Sequence, residues 1–128
     1  MSFEKVVFGF FVLLAATLNF GFWTGGIDDV HVHHAPELYA AVVVNIIAAL
    51  LKFGDRTQIG AIHLATSLVA SIQLIAAASI FTYLNQASAT GMTPSGMASV
   101  VSMSGGALFA NVVSVVLLVI ETVSYRRR

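Results

Sequence analysis

Six residues that could bind a metal ion lie in one short polar stretch between two apolar runs. The stretch is residues 24–37, and its candidate ligands are Asp28, Asp29, His31, His33, His34 and Glu37. Imidazole and carboxylate groups suit divalent transition metals such as zinc, copper or nickel better than calcium or magnesium. Gly25 and Gly26 give the backbone freedom to bring such ligands together. The stretch therefore predicts a metal site, although its spacing matches no named zinc motif.

Two other interpretations fit the same loop. Histidine ordinarily changes charge between about pH 5 and pH 8, so its three histidines would also suit a pH-responsive loop. The structural alternative is a solvated connection whose acidic residues help to set the membrane topology.

Polar side chains also occur inside the apolar segments. They are the amides Asn19, Asn45, Gln73 and Asn111, and the imidazole of His63. An amide that faces lipid leaves its donors and acceptors unsatisfied, so the amides are expected to face the bundle or a subunit interface. There they would either hold helices together or line a permeation path. His63, nearer one interface than the membrane centre, is interpreted as a packing histidine or as a proton relay.

Composition identifies the solvent of this chain as a lipid bilayer. The 128 residues are 58% hydrophobic and 9% charged, against roughly 25% charged residues in a soluble domain, and the mean hydropathy is +0.91. The net charge is zero and the basic residues form no stripe, so nucleic acid is not an expected partner. No cysteine, phosphate-binding loop or nucleophile–base pair is present, and an enzyme is not expected.

The apolar runs predict an all-α integral membrane four-helix bundle in a single domain. The predicted spans are residues 6–23, 38–53, 59–84 and 98–124. About 20 residues cross a bilayer, so the second span is short, and the third is long enough to tilt or to project beyond the hydrocarbon core. The first run is interpreted as a span and not as a cleaved signal peptide, because it continues past Ala15 and Ala16 with a poor cleavage pattern. Residues 85–96 are interpreted as a polar loop with Pro94 and Gly96 as helix breakers.

Charge then predicts the orientation. All six basic residues fall on one side of the four-span arrangement, at Lys5, Lys52, Arg56 and the three terminal arginines. The positive-inside rule places that side and both termini in the cytoplasm. The expected location is the cell (inner) membrane, with loop 24–37 on the outer side. Glu121 is expected to pair with Lys52, Arg56 or the terminal arginines.

Two further patterns concern packing. Residues 41–51 align with residues 107–117, with Asn45 on Asn111, which suggests a tandem two-helix repeat with parallel topology. A small-residue stripe at intervals of four follows the last helix through Ser102, Gly106, Ala110 and Ser114. Such a stripe lets another helix approach closely, either within the monomer or across a homo-oligomer interface.

These features fit two classes of function. The first is an oligomeric subunit that conducts an ion or solute, or that belongs to a transport complex, with a metal- or pH-responsive outer loop. The alternative is a non-conducting accessory subunit of a larger membrane complex. No acidic or basic residue lies at mid-membrane, which disfavours ion-coupled active transport.

Overall fold

A computed structural model describes residues 3–31, 33–86 and 90–126 of the chain. This part of the chain forms four α-helices: α1 Phe3–Trp23, α2 Ala35–Lys52, α3 Gln58–Gln86 and α4 Pro94–Arg126. All four are long and apolar enough to cross a membrane. The predicted all-α, four-span membrane bundle is therefore confirmed.

The last two helices begin at polar caps rather than at the start of the apolar pattern. The Thr57 hydroxyl accepts a hydrogen bond from Gly60 N at 3.0 Å, and the Thr93 hydroxyl accepts one from Gly96 N at 3.0 Å. Both are N-caps, which satisfy an amide that has no partner inside the helix. Pro94 takes the first helical position, where a missing N–H leaves no hydrogen bond unmade. Pro94 and Gly96 thus belong to the first turn of α4, not to the preceding loop as the sequence predicted.

The helices form a closed ring. α1 packs on α2, α2 on α3, α3 on α4 and α4 on α1, whereas within the described ranges the diagonal pairs α1–α3 and α2–α4 make no close backbone contact. We call the end with Lys5, Lys52 and Arg56 the basic end, and the end with residues 24–34 the loop end.

The ring has the arrangement that a tandem repeat would produce. Asn45 and Asn111 lie 66 residues apart, and this offset makes α1 correspond to α3 and α2 to α4. A two-fold axis along the bundle would place each corresponding pair on a diagonal, and both pairs lie on diagonals. The corresponding residues Ala41 and Ala107 are both fully buried. Any ring of four helices packed in chain order shares this arrangement, so the tandem repeat stays a prediction.

Small side chains fill much of the inside of the ring, while many large ones face outwards. Fully buried alanines are Ala15, Ala41, Ala70, Ala77 and Ala107, and exposed large side chains include Phe10, Phe20, Ile72 and Phe109. Lipid is as apolar as a leucine side chain, so large residues gain little by leaving it, and small residues let helix backbones approach. This distribution is the one expected of a bundle whose solvent is lipid.

Helix α1 is shorter than its neighbour α4, and the two are aligned at the basic end. Lys5 Nζ lies 3.3 Å from Glu121 Oε2, and a Cβ atom at Gly105 would lie 2.9 Å from Trp23 Nε1. α1 therefore runs beside residues 105–121 of α4. The first turns of α4, together with the end of α3, continue past the end of α1 by about 15 Å at the helical rise per residue.

The small-residue stripe of α4 packs against α3 within one chain. A Cβ atom at Gly106 would lie 2.6 Å from the amide nitrogen of Gln73 on α3. Ala110 and Ser114 are buried, whereas Ser102 is exposed. From Gly106 to Ser114 the stripe is thus occupied inside the bundle, and of its four members only Ser102 faces outwards.

A Gly106→Leu substitution tests this placement. The larger side chain would displace Gln73, so we expect a loss of about 1–3 kcal/mol in the free energy of unfolding and a lower melting temperature in mild detergent. The oligomer distribution should not change. Ser102→Leu, on the same stripe but exposed, is the matched control and should leave stability nearly unaltered. A changed oligomer distribution at unaltered stability in Gly106→Leu would place the stripe between subunits instead.

Candidate functional site

Three asparagine side chains meet inside the ring, and we call Asn19, Asn45 and Asn111 the asparagine cluster. Asn19 Nδ2 donates a hydrogen bond to Asn111 Oδ1 at 2.9 Å, and Asn111 Nδ2 donates one to Asn45 Oδ1 at 2.8 Å. Asn45 Nδ2 donates to Ala41 O of its own helix at 2.7 Å. All three side chains are buried. The cluster therefore links α1, α4 and α2 and crosses the α2–α4 diagonal.

The hydrogen bonds of the cluster satisfy amide groups that would otherwise be unpaired inside the apolar bundle. An unpaired amide in hydrocarbon costs several kcal/mol, and each of these amides is paired with another. A hydrogen bond between membrane helices contributes roughly 0.6–2 kcal/mol. The arrangement can thus fix the rotation and register of three helices, and it also places polar groups at the centre of an apolar core.

Gln73, the fourth predicted amide, lies outside this cluster. Its side chain packs against Gly106 of α4. The Gln73 Oε1 atom, like the Ser71 Oγ atom, is buried without a hydrogen-bond partner in the described part of the chain. Both atoms lie on α3, the one helix that contributes no member to the cluster.

A second polar group lies at the basic end around His63, which is fully buried. His63 Nδ1 lies 2.8 Å from Ser114 Oγ of α4, and the imidazole meets the Phe8 ring of α1 edge to face at a centroid distance of 4.9 Å. His63 Nε2 makes no hydrogen bond to any described residue and lies 3.8 Å from Glu121 Oε1. One ring nitrogen is thus engaged, and the other faces a carboxylate beyond hydrogen-bonding distance.

Glu121 forms an ion pair with Lys5, a partner that the sequence analysis did not suggest. Lys5 Nζ lies 3.3 Å from Glu121 Oε2, and the side chains are 49% and 24% exposed. The pairing follows from the packing of α1 on α4, which brings the two residues to the same end. The predicted pairing with the terminal arginines concerns Arg126, Arg127 and Arg128, whose side chains lie outside the described part of the chain.

Lys52 belongs to the turn that starts α3. Lys52 Nζ lies 3.5 Å from Asp55 Oδ2 and 4.3 Å from the centre of the Phe8 ring. Asp55 Oδ1 accepts hydrogen bonds from the Thr57 hydroxyl at 2.7 Å and from Thr57 N at 3.0 Å. These two bonds, helped by the charge of Lys52, outweigh burial and lower the pKa of Asp55 below its ordinary value. Asp55 is therefore an anion at neutral pH and holds the cap of α3 in place.

His33 points into the protein from the loop end and is buried. Its Nδ1 faces the carbonyl oxygen of Phe22, and its Nε2 lies 2.8 Å from the carbonyl oxygen of Gly26. Because a carbonyl only accepts, both contacts are hydrogen bonds only when both nitrogens carry a proton. The ring also packs against the Phe22 ring at a centroid distance of 5.5 Å. His33 thus ties the loop to the end of α1.

The other five predicted metal ligands do not converge with His33. Asp28, Asp29, His31 and His34 are exposed, and the Glu37 carboxylate packs against Gly21 of α1. Asp29 Oδ1 accepts a hydrogen bond from His31 N at 2.9 Å. Within residues 3–31, 33–86 and 90–126, no group of three histidine, aspartate or glutamate side chains is placed to hold a metal ion. Metal binding stays a prediction that this conformation does not support.

The ion pair of Lys5 and the burial of Ser104 were not predicted from the sequence. Lys5 is 116 positions from Glu121, and only the α1–α4 contact brings them together, although opposite charges at one end of the predicted bundle were a usable signal. Ser104 is fully buried, but its hydroxyl donates to Val101 O of the same helix at 3.0 Å. A serine whose hydroxyl is hydrogen-bonded within its own helix cannot be recognised as buried from the sequence pattern.

Comparison with known proteins assigns a family but no activity. Residues 32–122 match a family of unknown function, DUF6394. The match spans most of the chain, including α2, α3 and most of α4, so the chain belongs to this family. No curated protein and no solved structure matches the chain.

The loop prediction is tested by calorimetric titration with Zn²⁺ at about pH 7.5, where imidazole is mostly neutral. If the loop binds metal, a saturable event should appear that His33→Ala and His34→Ala together abolish. His33 would have to leave the Phe22 and Gly26 carbonyls, so binding should also change the mobility of the loop. Identical isotherms for the wild type and the double variant would leave the loop as a hydrophilic connection.

Within the asparagine cluster, substitution of Asn111, the middle member, should lower the free energy of unfolding most. Asn111→Ala leaves Asn19 Nδ2 and Asn45 Oδ1 without partners, and we expect a loss of about 1–3 kcal/mol in the free energy of unfolding. Asn45→Ala leaves only Asn111 Nδ2 unpaired and should cost less. Ser79→Ala is the control, since this exposed hydroxyl donates only to Ile75 O of its own helix. Equal stability of Asn111→Ala and Ser79→Ala would show that the cluster does not hold the helices together.

Proposed function

We propose that this member of the DUF6394 family acts in membrane transport, as an oligomeric subunit that conducts an ion or small solute or that belongs to a complex doing so. The observation that carries the proposal is the asparagine cluster. Its polar groups lie between helices of both halves of the repeat-like ring. Binding sites of repeat-built transporters lie near the membrane centre at the interface between the repeats.

The polar groups continue from the cluster towards the basic end. Ser114 follows Asn111 by one helical turn on α4 and contacts His63. Ser67 and Ser71 of α3 are also buried. Buried polar side chains are thus distributed from the centre of the ring to one of its ends. Such a distribution could support the passage of a small polar species after modest helix rearrangement.

The distribution of charge supports an orientation for this path. Basic residues cluster at one end, which the positive-inside rule assigns to the cytoplasm. The opposite loop carries Asp28, Asp29 and Glu37 and no basic residue. An acidic outer loop would attract cations and thereby raise their concentration at the entrance.

One observation favours a non-conducting accessory subunit as the second candidate. The three amides of the cluster bond to one another and to Ala41 O. A cluster satisfied in this way has a complete structural role without any solute. The accessory subunit would instead use its bundle to pack against a larger membrane complex.

Flux measurements on the purified protein in liposomes separate the candidates. Under a gradient of protons, K⁺ or Na⁺, the wild type should conduct one of these ions. Asn45→Leu should change the flux several-fold because it removes a polar group from the centre. Ser79→Ala, which alters only an exposed hydroxyl, should conduct like the wild type. Melting curves of each variant establish that an altered flux does not result from unfolding.

The native mass of the gently solubilised protein completes the test. A homogeneous self-oligomer with flux supports the conducting subunit. A stoichiometric partner of another sequence, together with no flux for any ion with or without zinc from the chain alone or from the purified complex, would replace it with the accessory subunit.

A further inference from the structure

We propose that His63 and Glu121 form a proton-binding site at the basic end of the bundle, in which His63 takes up the proton and the Glu121 carboxylate holds the resulting charge. The inference does not depend on whether the protein conducts. It starts from the one buried ring nitrogen at this end that lacks a hydrogen-bond partner among the described residues, His63 Nε2. That atom lies 3.8 Å from Glu121 Oε1.

The two contacts of the His63 ring can accommodate the imidazolium form. When both ring nitrogens carry a proton, Nδ1 donates to Ser114 Oγ and Nε2 donates towards Glu121. A charge-assisted bond between nitrogen and a carboxylate oxygen is about 2.8 Å long, so the carboxylate must approach by about 1 Å. In the neutral form with the proton on Nε2, the Ser114 hydroxyl donates to Nδ1 instead, so protonation reverses this bond and adds a positive charge next to the carboxylate.

The Glu121 carboxylate already lies between two basic groups. Its Oε2 atom pairs with Lys5 of α1, and its Oε1 atom faces His63 of α3. Among the described side chains, Lys5 is the partner with which Glu121 pairs before proton uptake. Proton uptake adds a second positive charge on its other side, so the approach to His63 competes with the ion pair to Lys5.

The remaining charged groups near His63 are paired with each other. On α1, the Phe8 ring contacts the imidazole directly. The Lys52 ammonium of α2 lies over the same Phe8 ring. Lys52 in turn pairs with Asp55 in the turn between α2 and α3. Glu121 is thus the anion placed to neutralise a proton on His63, whereas Lys5 and Lys52 oppose it.

Glu121 provides a route for the proton between the surface of the basic end and His63. The His63 side chain is fully buried, but Glu121 is 24% and Lys5 is 49% exposed. The carboxylate therefore reaches from the surface of the basic end to the buried ring. A proton can arrive from solvent on this side through Glu121 without crossing the asparagine cluster.

Nuclear magnetic resonance of the full-length protein in detergent micelles, with ¹⁵N-labelled histidine, tests the site. His63→Gln identifies the signals of the His63 nitrogens. In the wild type we expect His63 to take up one proton as the pH falls, while the fold is retained. Removal of the carboxylate in Glu121→Gln should lower the pH of half-protonation of His63 by about one unit or more, the usual effect of a neighbouring opposite charge.

A second variant shifts the midpoint in the other direction. Lys5→Gln releases the carboxylate from its ion pair and should raise the pH of half-protonation of His63. The exposed His31 is the internal control, and its titration should be the same in all variants. Because the two substitutions predict opposite shifts, Lys5→Gln decides the matter alone if Glu121→Gln does not fold. The proposal is overturned if His63 stays neutral until the protein unfolds, or if neither variant moves its midpoint in the expected direction.

Discussion

The cost of an unpaired polar group in hydrocarbon governs the asparagine cluster inside this bundle. Asn19, Asn45 and Asn111 come from three helices, and none can face lipid without losing several kcal/mol. They satisfy one another only when the helices take one rotation and one register. Hydrophobic burial could not impose this choice, because lipid offers apolar side chains nearly the same environment as the core. The amides therefore supply specificity that the apolar surfaces lack.

Much of the fold follows from the sequence because span length and hydropathy are one-dimensional signals. Four apolar runs of the right length are sufficient to predict four helices, and the helices of the structure contain nearly all of them. α3 begins within one residue of the prediction, whereas α4 begins at Pro94, four residues before the predicted span, because Thr93 caps an amide outside the apolar run. Hydropathy carries no information on such caps.

The candidate site was only partly predictable, and the reason differs between its parts. A single asparagine in the middle of an apolar span already shows that a hydrogen-bond partner is needed, so Asn45 and Asn111 could each be identified from the sequence. Their partnership is not visible, because it depends on which helices share a diagonal. For the loop histidines, in contrast, the sequence suggested a partnership that the structure does not show. Proximity in sequence suggested shared ligands, yet His33 turns inward to backbone carbonyls while His31 stays exposed.

Helix α4 contributes side chains to both polar groups of the bundle, the asparagine cluster and the group around His63. Asn111 is hydrogen-bonded to α1 and α2, and Ser114, one turn further, meets His63 of α3. Glu121, two turns beyond Ser114, is held by Lys5 of α1. The one position of α4 in the ring thus determines the partners of Asn111, Ser114 and Glu121 together.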